Sequence, residues 1–297
     1  MNTVEHFKPI YVNNVDIHVI NLCNLRCDGC NHLANYGYRG VFSEKDLVEW
    51  ILPWKDRLFF HRISLLGGEP LLNPELKDIC IAYRKLFPDN ETKLRVITNG
   101  LLIKKCPWLK ELIQEYGIHI QLSLHVLNGK KKNEKLIERV MEGVKLLEKW
   151  SGETPRPADY KWGRPINSKE KLTFQVFYKG KGADIKPFDH DDIVESKKHC
   201  TCKTLQLYKH NLYKCAPIAY IGEALEKVGA EDDPDWRPYL DYTPLTPDCS
   251  DGELADFMKK QPGPDWTCRM CPPFSNVILS TEREVRLADR DFSGLKP

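Results

Sequence analysis

One stretch limits this chain more than any other: Cys23-Asn24-Leu25-Arg26-Cys27-Asp28-Gly29-Cys30, with Asn31-His32 directly behind it. Cysteines spaced C-x3-C-x2-C close a tight loop and gather three thiolates round one centre. On a four-iron cubane, three thiolates leave one iron without a protein ligand and open to a small molecule. Ferredoxin sites use four cysteines, and structural zinc sites are also four-coordinate and closed. No fourth cysteine stands near this loop. It therefore reads as an open iron–sulfur site, with a closed Cys3His zinc loop completed by His32 as the alternative.

The rest of the N-terminal half alternates strands and helices. Val15 to Ile20 is apolar and β-branched and runs straight into the cysteine loop. Ser43 is a good N-cap, with Glu44 and Asp46 in the first turn and Leu47, Trp50 and Ile51 on one face. Strands follow at Arg62 to Leu66, Leu94 to Ile97, Ile118 to Leu124 and Leu172 to Tyr178. Helices run over roughly Pro74 to Phe87, Trp108 to Tyr116 and Asn133 to Trp150. This order implies parallel βαβ units, whose functional groups collect at the carboxyl ends of the strands. The cysteine loop, Gly67-Gly68-Glu69-Pro70, Thr98-Asn99-Gly100 and Ser123-Leu124-His125 all fall there. Five strands are too few for a closed eight-stranded barrel, so the expected fold is α/β, a partial barrel with an open side.

The cysteine loop followed some forty residues later by Gly-Gly-Glu at a strand end resembles the radical SAM superfamily. That resemblance implies a shortened form of the usual six-stranded partial barrel. It implies that S-adenosylmethionine binds the open iron through its amino and carboxylate groups. Gly67, Gly68 and Glu69 would receive the methionine amino group, while Asn99 and Ser123 would contact ribose and carboxylate. His125 either reaches the same pocket or is a strand-end histidine in solvent. One departure is Gly29, where the family usually carries an aromatic residue near the adenine; Tyr36 or Tyr38 is the expected substitute.

The chain has eleven cysteines. Cys80 sits in an apolar helical run and reads as a buried free thiol, and Cys106 is given no role. A second group comprises Cys200, Cys202, Cys215, Cys249, Cys268 and Cys271. Residues 202–215 read as a hairpin turning near His210-Asn211, flanked by cysteines and followed at a distance by C-x2-C, which is a four-ligand arrangement. Zinc satisfies that spacing equally well. Beside the first loop, the segment resembles the twitch domain, a shortened relative of the SPASM domain, which holds an auxiliary [4Fe-4S] cluster. Related hairpins usually have glycine where His210 stands, and Asn211 is expected to supply the positive φ. Cys200 and Cys202 share one face of an extended strand; Cys202 is preferred, with Cys200 its alternate. The expected division is a core over residues 1–185 and an auxiliary-cluster domain over residues 186–297, with two [4Fe-4S] clusters in all.

At 297 residues and a formal net charge of +2, the chain shows no basic stripe, so nucleic-acid binding gets no support. No apolar run is long enough to span a membrane and no signal peptide is recognisable. A cytoplasmic protein is expected, with an external electron donor such as flavodoxin or ferredoxin. Residues 151–167 change to Gly, Pro and aromatic composition and read as a lid, with Tyr160, Trp162 and Arg164 as substrate contacts.

Three fates of a substrate radical give three readings. In the first, Cys249, which fits no metal spacing, returns hydrogen from the opposite face. This resembles the radical SAM epimerases of aminoglycoside antibiotic biosynthesis. The acidic surroundings from Glu231 to Glu253 would then suit a cationic amino sugar. In the second, the auxiliary cluster takes an electron and an alcohol becomes a ketone, as in twitch-type aminocyclitol dehydrogenases. In the third the substrate is a ribosomal peptide, although no additional leader-recognising N-terminal domain is seen. A non-enzymatic zinc protein is the fourth possibility.

Overall fold

The structure is a computed structural model that describes residues 8–89, 91–127, 134–152, 173–200, 202–279, 284–292 and 294–295. In chain order the strands are β1 (Ile10–Val12), β2 (Val15–Ile20), β3 (Leu25–Cys27), β4 (Leu58–Phe60), β5 (Arg62–Gly67), β6 (Lys93–Thr98), β7 (His119–Leu122), β8 (Thr173–Gln175), β9 (Leu205–Tyr208), β10 (Asn211–Tyr213), β11 (Val277–Leu279) and β12 (Val285–Leu287). The helices are α1 (Glu44–Lys55), α2 (Leu76–Leu86), α3 (Leu109–Gln114), α4 (Glu134–Ser151), α5 (Ile193–His199), α6 (Ala216–Val228), α7 (Arg237–Leu240) and α8 (Asp251–Lys260).

One six-stranded sheet, ordered β10-β9-β2-β5-β6-β7, organises the molecule. Every pairing in it is parallel except the β9–β10 hairpin. Val15, Ile17, Ile63, Leu65, Leu94 and Val96 are fully buried and form its apolar face. The other face is polar, as alternation along a strand requires. Arg95 donates to Ser64 Oγ at 2.8 Å, Gln121 Oε1 at 2.7 Å and Asn14 Oδ1 at 3.1 Å, and Asp16 accepts from Asn14 at 2.9 Å. Burial there pulls the Arg95 guanidinium down to about 10.

The helix starts follow local chemistry. Ser43 and Asp46 form a reciprocal capping box at the head of α1, and Ser250 and Glu253 form another at the head of α8. No helix among the described residues is long and apolar enough to cross a membrane.

Two expectations need correcting. The strand expected at Leu172 to Tyr178 is not the fifth of the main sheet; its ordered part, β8, pairs with β11 in a separate two-stranded sheet. The fifth parallel position is taken by β9, which adds beside β2 with Leu205 opposite Val15. The C-terminal hairpin therefore shares the sheet of the N-terminal half. Within the hairpin, Lys209 (φ 48°) and His210 (φ 69°) carry the left-handed turn, and Asn211 already belongs to β10. Two consecutive positive φ values are the mark of a two-residue type I′ loop. Tyr160, Trp162 and Arg164 lie outside the described residues.

Candidate cofactor and cluster site

The strand ends assemble the site. β2 leads into the cysteine loop and β5 into Gly67-Gly68-Glu69. The two run so close that Gly68 N–H donates to the Ile20 carbonyl at 2.8 Å and Glu69 N–H to that of Leu22 at 2.9 Å. A Cβ on residue 68 would lie 2.1 Å from the Leu22 oxygen, and one on residue 67 would lie 1.9 Å from the Ile20 oxygen. The glycines are thus required by the chain's own backbone, not only by close approach of a ligand.

Cys23, Cys27 and Cys30 are brought together with Glu69. The Cys23 thiol is pushed well up, first by burial, then by Cys27, Glu69 and Cys30. The Glu69 carboxylate is fully buried. It accepts from Thr98 Oγ1 at 2.5 Å, Asn99 N–H at 2.8 Å and Leu71 N–H at 3.1 Å. Burial outweighs these bonds and raises its pKa to about 7.

Asn99 donates to Asn24 Oδ1 at 2.7 Å and accepts from Leu101 N–H at 3.1 Å, tying the end of β6 to the cysteine loop. Ser123 N–H donates to the Thr98 carbonyl at 2.8 Å, and His125 opens a short 3-10 turn after β7. Gly29 has φ 66°, which explains the missing aromatic residue, because a bulky side chain is strained there. Of the two tyrosines, Tyr38 is 2% exposed and donates to the His32 carbonyl at 2.7 Å. Tyr36 is half-buried, feels the charge of Cys30 and stands 6.2 Å from the Tyr178 ring.

His32 is held by a partner other than a metal. Its Nδ1 lies 2.7 Å from His18 Nε2, and His18 stacks on Tyr220 at 3.7 Å. Asn21 turns its amide nitrogen to Arg39 O, Tyr208 Oη and Glu223 Oε2, so its Oδ1 faces His18 Nδ1 at 3.0 Å. His18 Nδ1 therefore donates and His18 Nε2 accepts from His32 Nδ1–H. Burial lowers both imidazoles, and both are neutral.

The second thiol group also assembles. Cys215 stands at the N-cap position of α6 without a side-chain capping bond. Its thiol is pushed up by burial, then by Cys202, Cys200 and Cys268. Cys271 is pushed up by burial, then by Cys215, Cys202, Cys200 and Cys268. Among the described residues no three donors close to the spacing of ligands round a single metal ion. Asn31 links the two groups: its amide donates to Cys202 Sγ at 3.5 Å, one residue after Cys30.

Cys249 packs at the far end of α1 from the first loop. Its carbonyl accepts from Arg57 at 2.8 Å, two residues beyond the C-terminus of α1. α1 begins beside Glu75, at the end carrying the cysteine loop, and its twelve residues carry the chain roughly 18 Å away. Four of the eight acids between Glu231 and Glu253 are engaged in ion pairs. Lys186 pairs with Asp233 at 2.6 Å and Asp235 at 3.0 Å, Arg237 with Asp241 at 3.1 Å, and Arg57 with Asp251 at 3.0 Å. Asp233, Asp235, Asp241 and Asp251 thus hold the chain's own cations.

The residues suit the groups expected of them. Three soft thiols on one tight loop are the donor set of an iron–sulfur cluster. Among the described residues, Asn35 Oδ1, directly behind the loop, is the one buried side-chain acceptor without a partner. Sequence reading missed the C-terminal segment that closes over the loop: β12 pairs with β3, and Arg290 reaches the carbonyls of Cys23, Ala34 and Asn35.

Parts of the chain are similar to known proteins. A probable GTP 3',8-cyclase of Methanocaldococcus jannaschii is 27% identical over 139 residues, covering 45% of this chain and 45% of that protein. The GTP 3',8-cyclase of Aquifex aeolicus is 31% identical over 137 residues, covering 44% and 40%. The matches thus span less than half the length of these curated relatives. Streptococcus suis SuiB bound to S-adenosylmethionine is 27% identical with a TM-score of 0.37, over 47% of this chain and 31% of that one. Residues 17–150 match the family model "Radical SAM superfamily". That stretch, which carries the cysteine loop and Gly-Gly-Glu, is a radical SAM domain.

Proposed function

We propose that this chain is a radical SAM enzyme with a second four-iron cluster on Cys202, Cys215, Cys268 and Cys271, and that it oxidises an alcohol carbon of a small polar substrate such as an aminocyclitol or sugar. When bound, the first cluster and S-adenosylmethionine supply a 5′-deoxyadenosyl radical, which takes hydrogen from a carbon that no side chain could deprotonate. The chain's own part is to hold and orient. Cys23, Cys27 and Cys30 would ligate the first cluster, and the backbone at Gly67-Gly68 frames the cofactor's methionine end.

The single observation carrying this reading is the contact between Asn31 and Cys202, which sets the second thiol group directly beside the first loop. An electron leaving the substrate then has an acceptor at hand. Stereochemical inversion requires Cys249 at the reacting carbon, and its carbonyl is held by Arg57 at the other end of α1.

Turnover of a panel of aminocyclitols and amino sugars in D2O tests the choice. Oxidation gives a product two mass units lighter, with no solvent deuterium at the reacted carbon, and Cys249→Ala still forms it. A product of unchanged oxidation level that carries deuterium and disappears in Cys249→Ala would replace oxidation by inversion.

A further inference from the structure

The C-terminal segment locks onto the first cysteine loop from outside the βαβ core. In the β3–β12 ladder Val285 stands opposite Cys27, Arg286 opposite Arg26 and Leu287 opposite Leu25. Asp28 N–H donates to the Glu284 carbonyl at 3.0 Å and Ala288 N–H to that of Asn24 at 2.9 Å, extending the ladder at both ends. Two residues further on, the Arg290 guanidinium reaches back to the loop. Its Nη1 donates to the carbonyls of Cys23 at 3.1 Å and Ala34 at 3.2 Å, and its Nη2 to that of Asn35 at 2.8 Å.

Cys23 opens the loop, and Ala34 and Asn35 stand just beyond its end. One planar fork thus ties both ends together, a geometry that lysine cannot reproduce. Glycine at position 37 makes room for it: a Cβ there would lie 2.5 Å from Arg290 Cζ. All three acceptors are neutral carbonyls, and the opposite charges acting on Arg290 are those of Cys23 and Cys30.

We propose that Arg290 is a positioning residue of the first cluster site, bracing the thiol loop through its carbonyls and setting a positive charge beside Cys23 and Cys30 that raises the reduction potential of the cluster held there. Reduction adds negative charge to a cluster, and a nearby half-buried cation favours that state. Cluster potentials respond to net charge and hydrogen bonding around the sulfurs. A purely mechanical strap would hold the loop without moving the potential, and this difference makes the idea testable.

The inference rests on the loop holding a cluster, and the reconstituted wild-type chain tests that first. Its EPR spectrum should contain a reduced-cluster signal that changes when S-adenosylmethionine is added; if none appears, that underlying reading fails and Arg290 loses its role with it. The midpoint potential of the responsive signal is then followed in Arg290→Gln, which keeps amide donors and removes the charge, and in Arg290→Lys, which keeps the charge and loses the fork. The expected result is a lower potential in Arg290→Gln and a near-wild-type potential in Arg290→Lys, with faster loss of iron to a chelator in Arg290→Lys. If Arg290→Gln holds no first cluster while Arg290→Lys holds one at near-wild-type potential, the charge is again supported. A wild-type potential in Arg290→Gln, or equal lowering in both variants, overturns the proposal.

Discussion

At Glu69, burial and hydrogen bonding pull in opposite directions, and burial wins. Three donors favour the anion, yet the pKa rises to about 7. A carboxyl whose folded pKa lies above its unfolded value stabilises the fold most fully below the unfolded value near 4.5, and that contribution is lost as pH rises through 7. The iron-free, reduced chain should therefore lose on the order of 2 kcal/mol of this term between pH 5 and pH 8. Glu69→Gln should flatten that part of the profile, measured by urea denaturation across the range. The residues that spacing identifies were legible in the sequence, because three cysteines in eight positions admit few chemistries. Arg290 was not: a lone arginine in an unpatterned tail carries no period or motif, and its partners are backbone carbonyls that no side-chain pattern reveals. Cys249 was legible only in part, for a related reason. Its freedom from metal spacing could be read, but which end of α1 it would pack against depends on the fold.

Elements with a strong internal period were read nearly to the residue. Val15–Ile20 is the strand expected, and α1 begins behind the expected cap. What the sequence did not reveal was pairing between distant elements. β9 is only four residues long, and nothing in it says that it will lie parallel to β2 rather than in a separate domain. The hairpin following it offers a test. His210 holds φ 69° while its carbonyl accepts from Trp54 Nε1 at 2.7 Å, so the strained turn also anchors the hairpin to α1. A left-handed conformation costs a non-glycine residue about 1–2 kcal/mol, and glycine's greater unfolded freedom returns part of that difference. His210→Gly keeps the carbonyl and should stabilise the chain by about 0.5–1 kcal/mol, seen as a higher urea midpoint with unchanged slope.

For the molecule as a whole, the two thiol groups predict a count. Reconstituted chain should hold about eight irons, two cubanes of four. Replacing Cys23, Cys27 and Cys30 by Ala should leave about four and abolish cleavage of S-adenosylmethionine. Because Asn31 bonds Cys202, Cys202→Ala should leave about four irons in the first loop, whereas Cys200→Ala should keep about eight. Iron analysis decides each case, and about eight irons in Cys202→Ala would reassign the ligand to Cys200. The pairing of β12 with β3 also has a meaning in time. The strands are about 260 positions apart, and at about 5–20 residues per second the later one leaves the ribosome roughly 13–50 s after the earlier. Throughout that interval the thiol loop is unclasped and open to the machinery that delivers iron and sulfide. Once the last strand docks, the same ladder becomes a barrier to departure, so the rate of cluster loss should follow the rate at which this strand peels away.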